Sequence, residues 1–425
     1  MANRRVVITG LGVVASNGVG VGAFDEALRD GVSGIKRQQD MVDVQLRCQI
    51  AGRPIITDDY KQAYLPNLMS SKVKNYAVIN GLLAGLEAWN HAGLSTESDE
   101  VDNDSGIIMG SGALGLDFST SEKMHAVENG LSRKLGSFTI PESMSSGASA
   151  FLNSILGLGN RVLSNSSACI TGSEAVLLGY EHIASGKAEK MLCGSTEGDG
   201  IYIWGGFDAL RVLCADSNDD PAKGSRPMSD SLGGFVPSSG AGALVLESLE
   251  SAQKRGANIL AEIKGGFVNS GGQRNGGSLT APNFQAIVNC VKNTLALSKI
   301  EPGQIDLISG HLTSTPNDVN EVKCWAEGLG LSSGNFPYIN TPKSMIGHSI
   351  AAAGSIELVA CVLQLLNNYI HPSINCETVH PKLSDILPQE KVPSKTLYKE
   401  VNTVIKANFG FGDLNCCVVL QKWKG

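Results

Sequence analysis

Residues 161–194 read RVLSNSSACITGSEAVLLGYEHIASGKAEKMLCG. The pattern predicts a short strand over Arg161–Ser164, a helix over Gly172–Ser185 and a second strand over Met191–Gly194. Cys169 falls between small residues just ahead of that helix. A cysteine at a helix N-terminus faces unpaired backbone N–H groups and the positive end of the helix dipole, and both favour thiolate. The same N–H groups would hold an oxyanion if the sulfur attacked a thioester carbonyl. A buried structural cysteine is the commonest fate of a free thiol, so local sequence alone leaves both readings open.

Outward from this segment the alternation continues. Arg5–Gly10 predicts a buried first strand ending in a glycine turn, and Ser105–Met109 another strand followed by glycines. The apolar run Ala241–Leu249 closes the first half. A second series follows: strand Ile259–Phe267, helix Phe284–Leu297, strand Ile305–Ser309, apolar helix Ala351–Leu366, and strands Val404–Ala407 and Cys416–Leu420. Strands apolar on both faces, alternating with helices, imply a layered α/β fold. Each half opens with a strand and carries similar elements, as a duplicated unit would, with halves at 1–250 and 251–425. Asp216–Leu232 is charged and aperiodic, and reads as an excursion over the surface or near a site mouth.

The chain has 425 residues, 42% hydrophobic and 18% charged, with net charge -7. That is enough to bury one large core or two medium ones. No Lys/Arg block suits a nucleic acid backbone, although a local basic patch would still serve an acidic partner. The 50 glycines are scattered and cluster beside small residues, as in Met109–Gly115 (MGSGALG), Gly233–Ala243 (GGFVPSSGAGA) and Asn408–Asp413 (NFGFGD). Such clusters suit tight turns around a narrow site. The ten cysteines show no CxxC spacing, which fits buried thiols in a reducing compartment. Cys416 and Cys417 would point to opposite faces of a strand. No HExxH or paired-cysteine metal motif occurs, and GLGVVASNG alone is a weak nucleotide fingerprint. No opening signal peptide and no run of membrane-spanning length are expected, so the chain reads as cytoplasmic.

Two histidines lie in Gly/Ser/Thr-rich contexts. His311 follows the strand IDLIS and precedes LTST, and His348 stands in KSMIGHSIAAAG ahead of the apolar helix. Either alone reads equally well as a satisfied turn residue. Taken in order, VVITGLGVVASNG, SSACITG, HLTST, KSMIGH and NFGFGD make the chain resemble a β-ketoacyl-acyl carrier protein synthase of the elongating type, in the thiolase superfamily. The resemblance spans essentially the whole chain. It implies a thiolase-like duplicated layered fold (α-β-α-β-α), with no cofactor and with substrates held on the phosphopantetheine of an acyl carrier protein. It implies a homodimer, or a heterodimer with a related subunit.

The resemblance also assigns roles. Cys169 takes the acyl group, and His311 and His348 complete the catalytic group. Neutral imidazoles offering N–H donors would stabilise the enolate left when a malonyl thioester loses carbon dioxide. Lys343 and Glu357 belong to a polar network behind the histidines, as orienting groups. Thr313 and Thr315 lie along the pantetheine arm. Phe411 is a gate between acyl pocket and malonyl site, and its backbone N–H joins that of Cys169 in the oxyanion hole. Ala113 and Leu114 line the far end of the acyl pocket near the dimer interface. Ala113 stands where isoleucine is common, which favours medium or long primers unless Leu114 refills the space.

The chain departs from the family pattern in its walls. Leu312 follows the first histidine where glycine is common. Asp413 and Leu414 replace the second glycine and the small residue of the late GFGG loop. GFVPSSGAG lacks an acidic residue, and SRPMSD lacks the usual aspartate immediately after SRP and an aromatic. The expectation is an active enzyme with altered substrate preference. Competing readings are a coenzyme A-dependent condensing enzyme and a noncatalytic partner subunit.

Overall fold

The computed structural model describes residues 4–66, 69, 72–96 and 99–425. Its centre is one continuous sheet whose two halves repeat the same pattern. In the first, β1 (Val6–Ala15), β2 (Ser105–Gly110), β3 (Val162–Leu163), β4 (Lys190–Glu197) and β5 (Gly240–Ser248) stand in the order β1-β5-β4-β2-β3. In the second, β6 (Ala261–Ser270), β7 (Leu307–Ser309), β8 (Tyr338–Asn340), β9 (Thr403–Gly410) and β10 (Leu414–Lys422) stand in the order β6-β10-β9-β7-β8. Going outward from β1 or β6, the first two pairings are antiparallel and the last two parallel in both halves. β1 joins the halves by pairing antiparallel with β6, Val6 opposite Ile263.

Both faces of each half are covered, which is why the strands read as apolar runs rather than alternations. In β5, Leu244 and Leu246 face the central core, while Ala241, Ala243 and Val245 face an outer one. The central core holds α3 (Thr171–Ala184) and α6 (Ala353–Asn367). α1 (Tyr76–His91) and α2 (Gly147–Leu156) cover one outer face, and α4 (Phe284–Ser298) and α5 (Asn317–Leu329) the other. The helical layers and sheet halves make the expected α/β layering. Cys416 and Cys417 point into the central and outer cores respectively, and all ten cysteines are free and buried.

Two close approaches locate the site. The N-termini of α3 and α6 cross so tightly that a Cβ on Gly172 would overlap the backbone at Ser355, and one on Gly354 the backbone at Ser173. These helix starts bring Cys169 and His348, each just upstream, to one place. Gly10 does not end the first strand in a turn, as the sequence suggested. β1 runs on through Gly12 to Ala15, because both glycines let α1 lie directly on the sheet, at Ala88 and Ala84.

The expectation of no membrane-length run needs correction. Ile350–Asn367 is long and apolar enough by composition, with mean hydropathy 1.7, yet 89% of it is buried inside the protein. It is the central helix, apolar all round because it is packed all round.

Candidate active site

Cys169 sits at the foot of a cavity of about 850 Å³, with His311, His348, Thr313, Thr315, Phe207 and Phe411 in its walls. One donor atom from each of Cys169, His311 and His348 lies within 4.8 Å of the others. His348 Nε2 is 3.2 Å from Cys169 Sγ, and the two imidazoles meet edge to face with centroids 5.2 Å apart. Ala168, at φ 50°, turns the chain so that the sulfur precedes α3.

The helix start alone does not make Cys169 a resting thiolate. Burial pushes the thiol up to about 11, against the opposing pull of the Lys343 charge and the Phe411 N–H. Burial likewise pulls His348 down to about 3 and His311 well below its ordinary value, and Lys343 is the next cause in both. The resting site is therefore a thiol beside two neutral imidazoles. Among the described residues, His348 Nδ1 is buried with no hydrogen-bond partner. An orphaned acceptor costs less than an orphaned N–H, so the proton belongs on Nε2, which donates to the sulfur.

His348 is held by its backbone. Its N–H donates to Val236 O at 2.7 Å and its carbonyl accepts from Ser238 at 3.0 Å. Its ring packs edge-on against Phe235, centroids 5.3 Å apart. The segment GFVPSSGAG, noted for its missing acidic residue, is thus the shelf under this histidine.

Lys343 and Glu357 are both fully buried and ion-paired. Reading the sequence missed the third member, Lys406 on β9, whose Nζ is 2.7 Å from the other Glu357 oxygen. Burial raises the Glu357 pKa, but the two lysines outweigh it, so the net shift is downward and Glu357 stays a carboxylate. Burial lowers the Lys343 pKa. The clue to Lys406 was a lysine inside an apolar strand run, a position that demands a partner.

Asp318 and Glu321, on α5, were also missed. Asp318 caps Thr313 and Ser314, and Glu321 accepts from His311 N at 2.7 Å and Leu312 N at 2.8 Å. Leu312 and Ser314 are in the left-handed region, at φ 27° and 65°. The carboxylates hold this strained turn, and glycine is therefore dispensable at Leu312. Burial raises Asp318 to about 6 and Glu321 to about 7.

Thr313 and Thr315 hydroxyls are 3.0 Å apart, on the cavity wall. Phe411 is half-buried, 6.0 Å from Phe207 between ring centroids. Gly410 lets β9 end against Cys169, since a Cβ there would stand 3.1 Å from Cys169 N. Ala113 and Leu114 lie away from this cavity. They line a second one of about 370 Å³, with Tyr76, Phe118 and Tyr202. Gly112 and Ala113 donate backbone N–H groups to buried Glu197. The Asp216–Leu232 excursion runs beside the mouth, with Asp216 and Leu232 in the cavity wall and Ser225 donating to Lys343 O at 2.7 Å.

A thiol and two imidazoles gathered in one cavity, with a buried ion cluster behind them, form the kind of site that thioester condensation needs. The family models for the beta-ketoacyl synthase N-terminal and C-terminal domains match residues 3–252 and 260–377. The chain is 34% identical over 428 residues to 3-oxoacyl-[acyl-carrier-protein] synthase I, chloroplastic, of Arabidopsis thaliana, covering 99% of this chain and 87% of that one. It is 33% identical to 3-oxoacyl-[acyl-carrier-protein] synthase 1 of Escherichia coli (strain K12), covering 99% and 100%. Among solved structures it resembles a beta-ketoacyl synthase from Burkholderia phymatum (TM-score 0.89, 26% identity, covering 99% and 100%). It also resembles the ishigamide ketosynthase/chain length factor (TM-score 0.87, 26% identity, covering 100% of each). The chain belongs to the beta-ketoacyl synthase family and is a condensing enzyme.

Proposed function

We propose that the protein is a 3-oxoacyl-acyl carrier protein synthase that elongates a carrier-bound acyl chain by two carbons, with Cys169, His311 and His348 as its catalytic residues. The observation that carries this is His348 Nε2 at 3.2 Å from Cys169 Sγ, with His311 alongside in one cavity. Cys169 sulfur attacks the primer thioester carbonyl as its proton leaves with the departing pantetheine thiol. The oxyanion formed is held by the N–H groups of Cys169 and Phe411. Malonyl thioester then loses carbon dioxide, and the two Nε2–H groups stabilise the enolate oxygen. The enolate carbon attacks the acyl carbon, and the C–S bond to Cys169 breaks.

Lys343 and Glu357 orient the histidines, and Thr313 and Thr315 guide the pantetheine arm. Phe411 gates the passage. The acyl carrier protein is the substrate partner, met at a local basic patch, and no further cofactor takes part. The enzyme works in the cytoplasm as a dimer, either of two copies or with a related subunit. Domain halves 1–250 and 251–425 supply the nucleophile and the histidines. Ala113 and Leu114 belong to the acyl pocket of medium or long primers when the dimer brings the second cavity into play.

Intact-protein mass spectrometry tests this with carrier proteins bearing primers of different length, followed by malonyl carrier. Acylation at Cys169 and release of a product two carbons longer are expected. No acylation by any primer would overturn the reading in favour of a noncatalytic partner subunit.

A further inference from the structure

Asn408 stands on β9 where the ion cluster meets the histidines. It is fully buried, and its side chain has three neighbours. Ser173 Oγ donates to its Oδ1 at 2.6 Å. Its Nδ2 donates to Glu357 Oε2 at 3.0 Å and faces His311 Nδ1 at 3.5 Å. The orientation of the amide follows from chemistry. Flipped, its oxygen would face the Glu357 carboxylate, acceptor against acceptor. The amino group must therefore face Glu357, and its second hydrogen is left for His311. A nitrogen receiving that hydrogen carries no proton of its own. The proton of neutral His311 is then on Nε2.

We propose that Asn408, backed by Ser173 and by the Glu357–Lys406 ion pair, is the positioning residue that fixes which nitrogen of His311 carries the proton. Lys406 contributes through Glu357. With both oxygens claimed by buried lysines, Glu357 is held as a carboxylate on the Asn408 side, with its Oε2 shared between Lys406 and the amide. His311 has no other side chain at Nδ1 among the described hydrogen bonds, since Glu321 holds only its backbone. The site thus pairs two Nε2–H donors, one set by an orphaned Nδ1 on His348 and the other by an amide on His311. This deepens the condensing role proposed above and rests on it for its kinetic consequence only.

The test has two arms. Nitrogen-15 NMR of the histidine-labelled wild-type protein reads the His311 tautomer directly, assigned by its loss in His311→Ala. A bare Nδ1 and protonated Nε2 are expected, whatever the enzyme's substrate. Asn408→Ala should mix the two tautomers. It should also slow decarboxylation of malonyl carrier by about tenfold, the value of one ordinary hydrogen bond, with transfer of primer to Cys169 unchanged. Lys406→Met should shift the same signals in the same direction but by less. A wild-type His311 protonated on Nδ1 would overturn the proposal whether or not the variants fold. So would Asn408→Ala leaving the tautomer unchanged, or slowing acyl transfer as much as decarboxylation. A correct tautomer with no decarboxylation in any sample would instead count against the condensing role.

Discussion

Asp413→Gly would remove a buried carboxylate from the turn between β9 and β10, and the structure says what that would undo. Asp413 is buried at φ 62°. Its carboxylate accepts from Gln273 N at 3.0 Å and Asn283 N at 2.7 Å, the two ends of the loop between β6 and α4. A Cβ on Gly271 or Gly277 would overlap the same carboxylate, so the loop is built around it. Asn275, Gly276, Thr280 and Pro282 of that loop line the cavity over Cys169. Two hydrogen bonds to a charged group are worth about 1.5–3 kcal/mol each. Relief of the left-handed conformation returns about 1 kcal/mol. Since the orphaned N–H groups find water once the loop lifts, the loss goes no further than about 2–5 kcal/mol, or about 30- to 4,000-fold in the closed-to-open ratio. Hydrogen exchange of residues 271–283 and the rate of Cys169 alkylation by iodoacetamide should both rise. The backbone bonds Gly271 N to Asp413 O and Gly412 N to Leu279 O remain, so the rest of the fold should keep its protection. Unchanged exchange in 271–283, or an increase spread evenly over the protein, would refute the reasoning.

Cys169 alkylation should keep rising past the ordinary thiol value of 9.0 and level only near pH 11, as measured by a pH–rate profile on the folded enzyme. Glu321 holds its proton to about pH 7 when folded but only to about 4.5 when unfolded. The folded state therefore binds more protons in that window, and stability should fall as pH rises through it. Glu321→Gln should flatten this slope in urea titrations between those limits. Glu357→Gln leaves two buried lysines without a counter-charge and should cost about 3–5 kcal/mol in urea unfolding. Lys406→Met leaves Lys343 and Glu357 paired one to one and should cost less.

The proposed catalytic trio was legible because each member sits in a local pattern: a small-residue turn before a helix, or a Gly/Ser/Thr stretch at a strand end. The strands were legible because both of their faces are buried. What could not be read is what depends on distance along the chain. Asn408 and Glu321 look like ordinary residues of a strand and a helix until the fold sets them against Glu357 and His311, and Lys406, conspicuous in its apolar strand run, does not reveal its partner there. α1 escaped notice because it is buried on nearly every side, from Ala77 to Trp89, and so shows little amphipathic period. The gain expected from a helix N-terminus was likewise offset by burial of the sulfur, a cost that no local pattern reports.

Burial also explains why two histidines suit this chemistry. Protonated, either would offer a fixed cation to the malonyl carboxylate and stabilise the group that must leave as neutral carbon dioxide. The desolvation and the lysines behind the site keep both imidazoles neutral. In the proposed mechanism their N–H groups would bind weakly to the ground-state thioester oxygen and strongly to the enolate, where charge has moved. That difference, and not the total strength of binding, lowers the barrier. The positive charge nearest the site lies one layer back, in Lys343 and Lys406, buried and paired with Glu357.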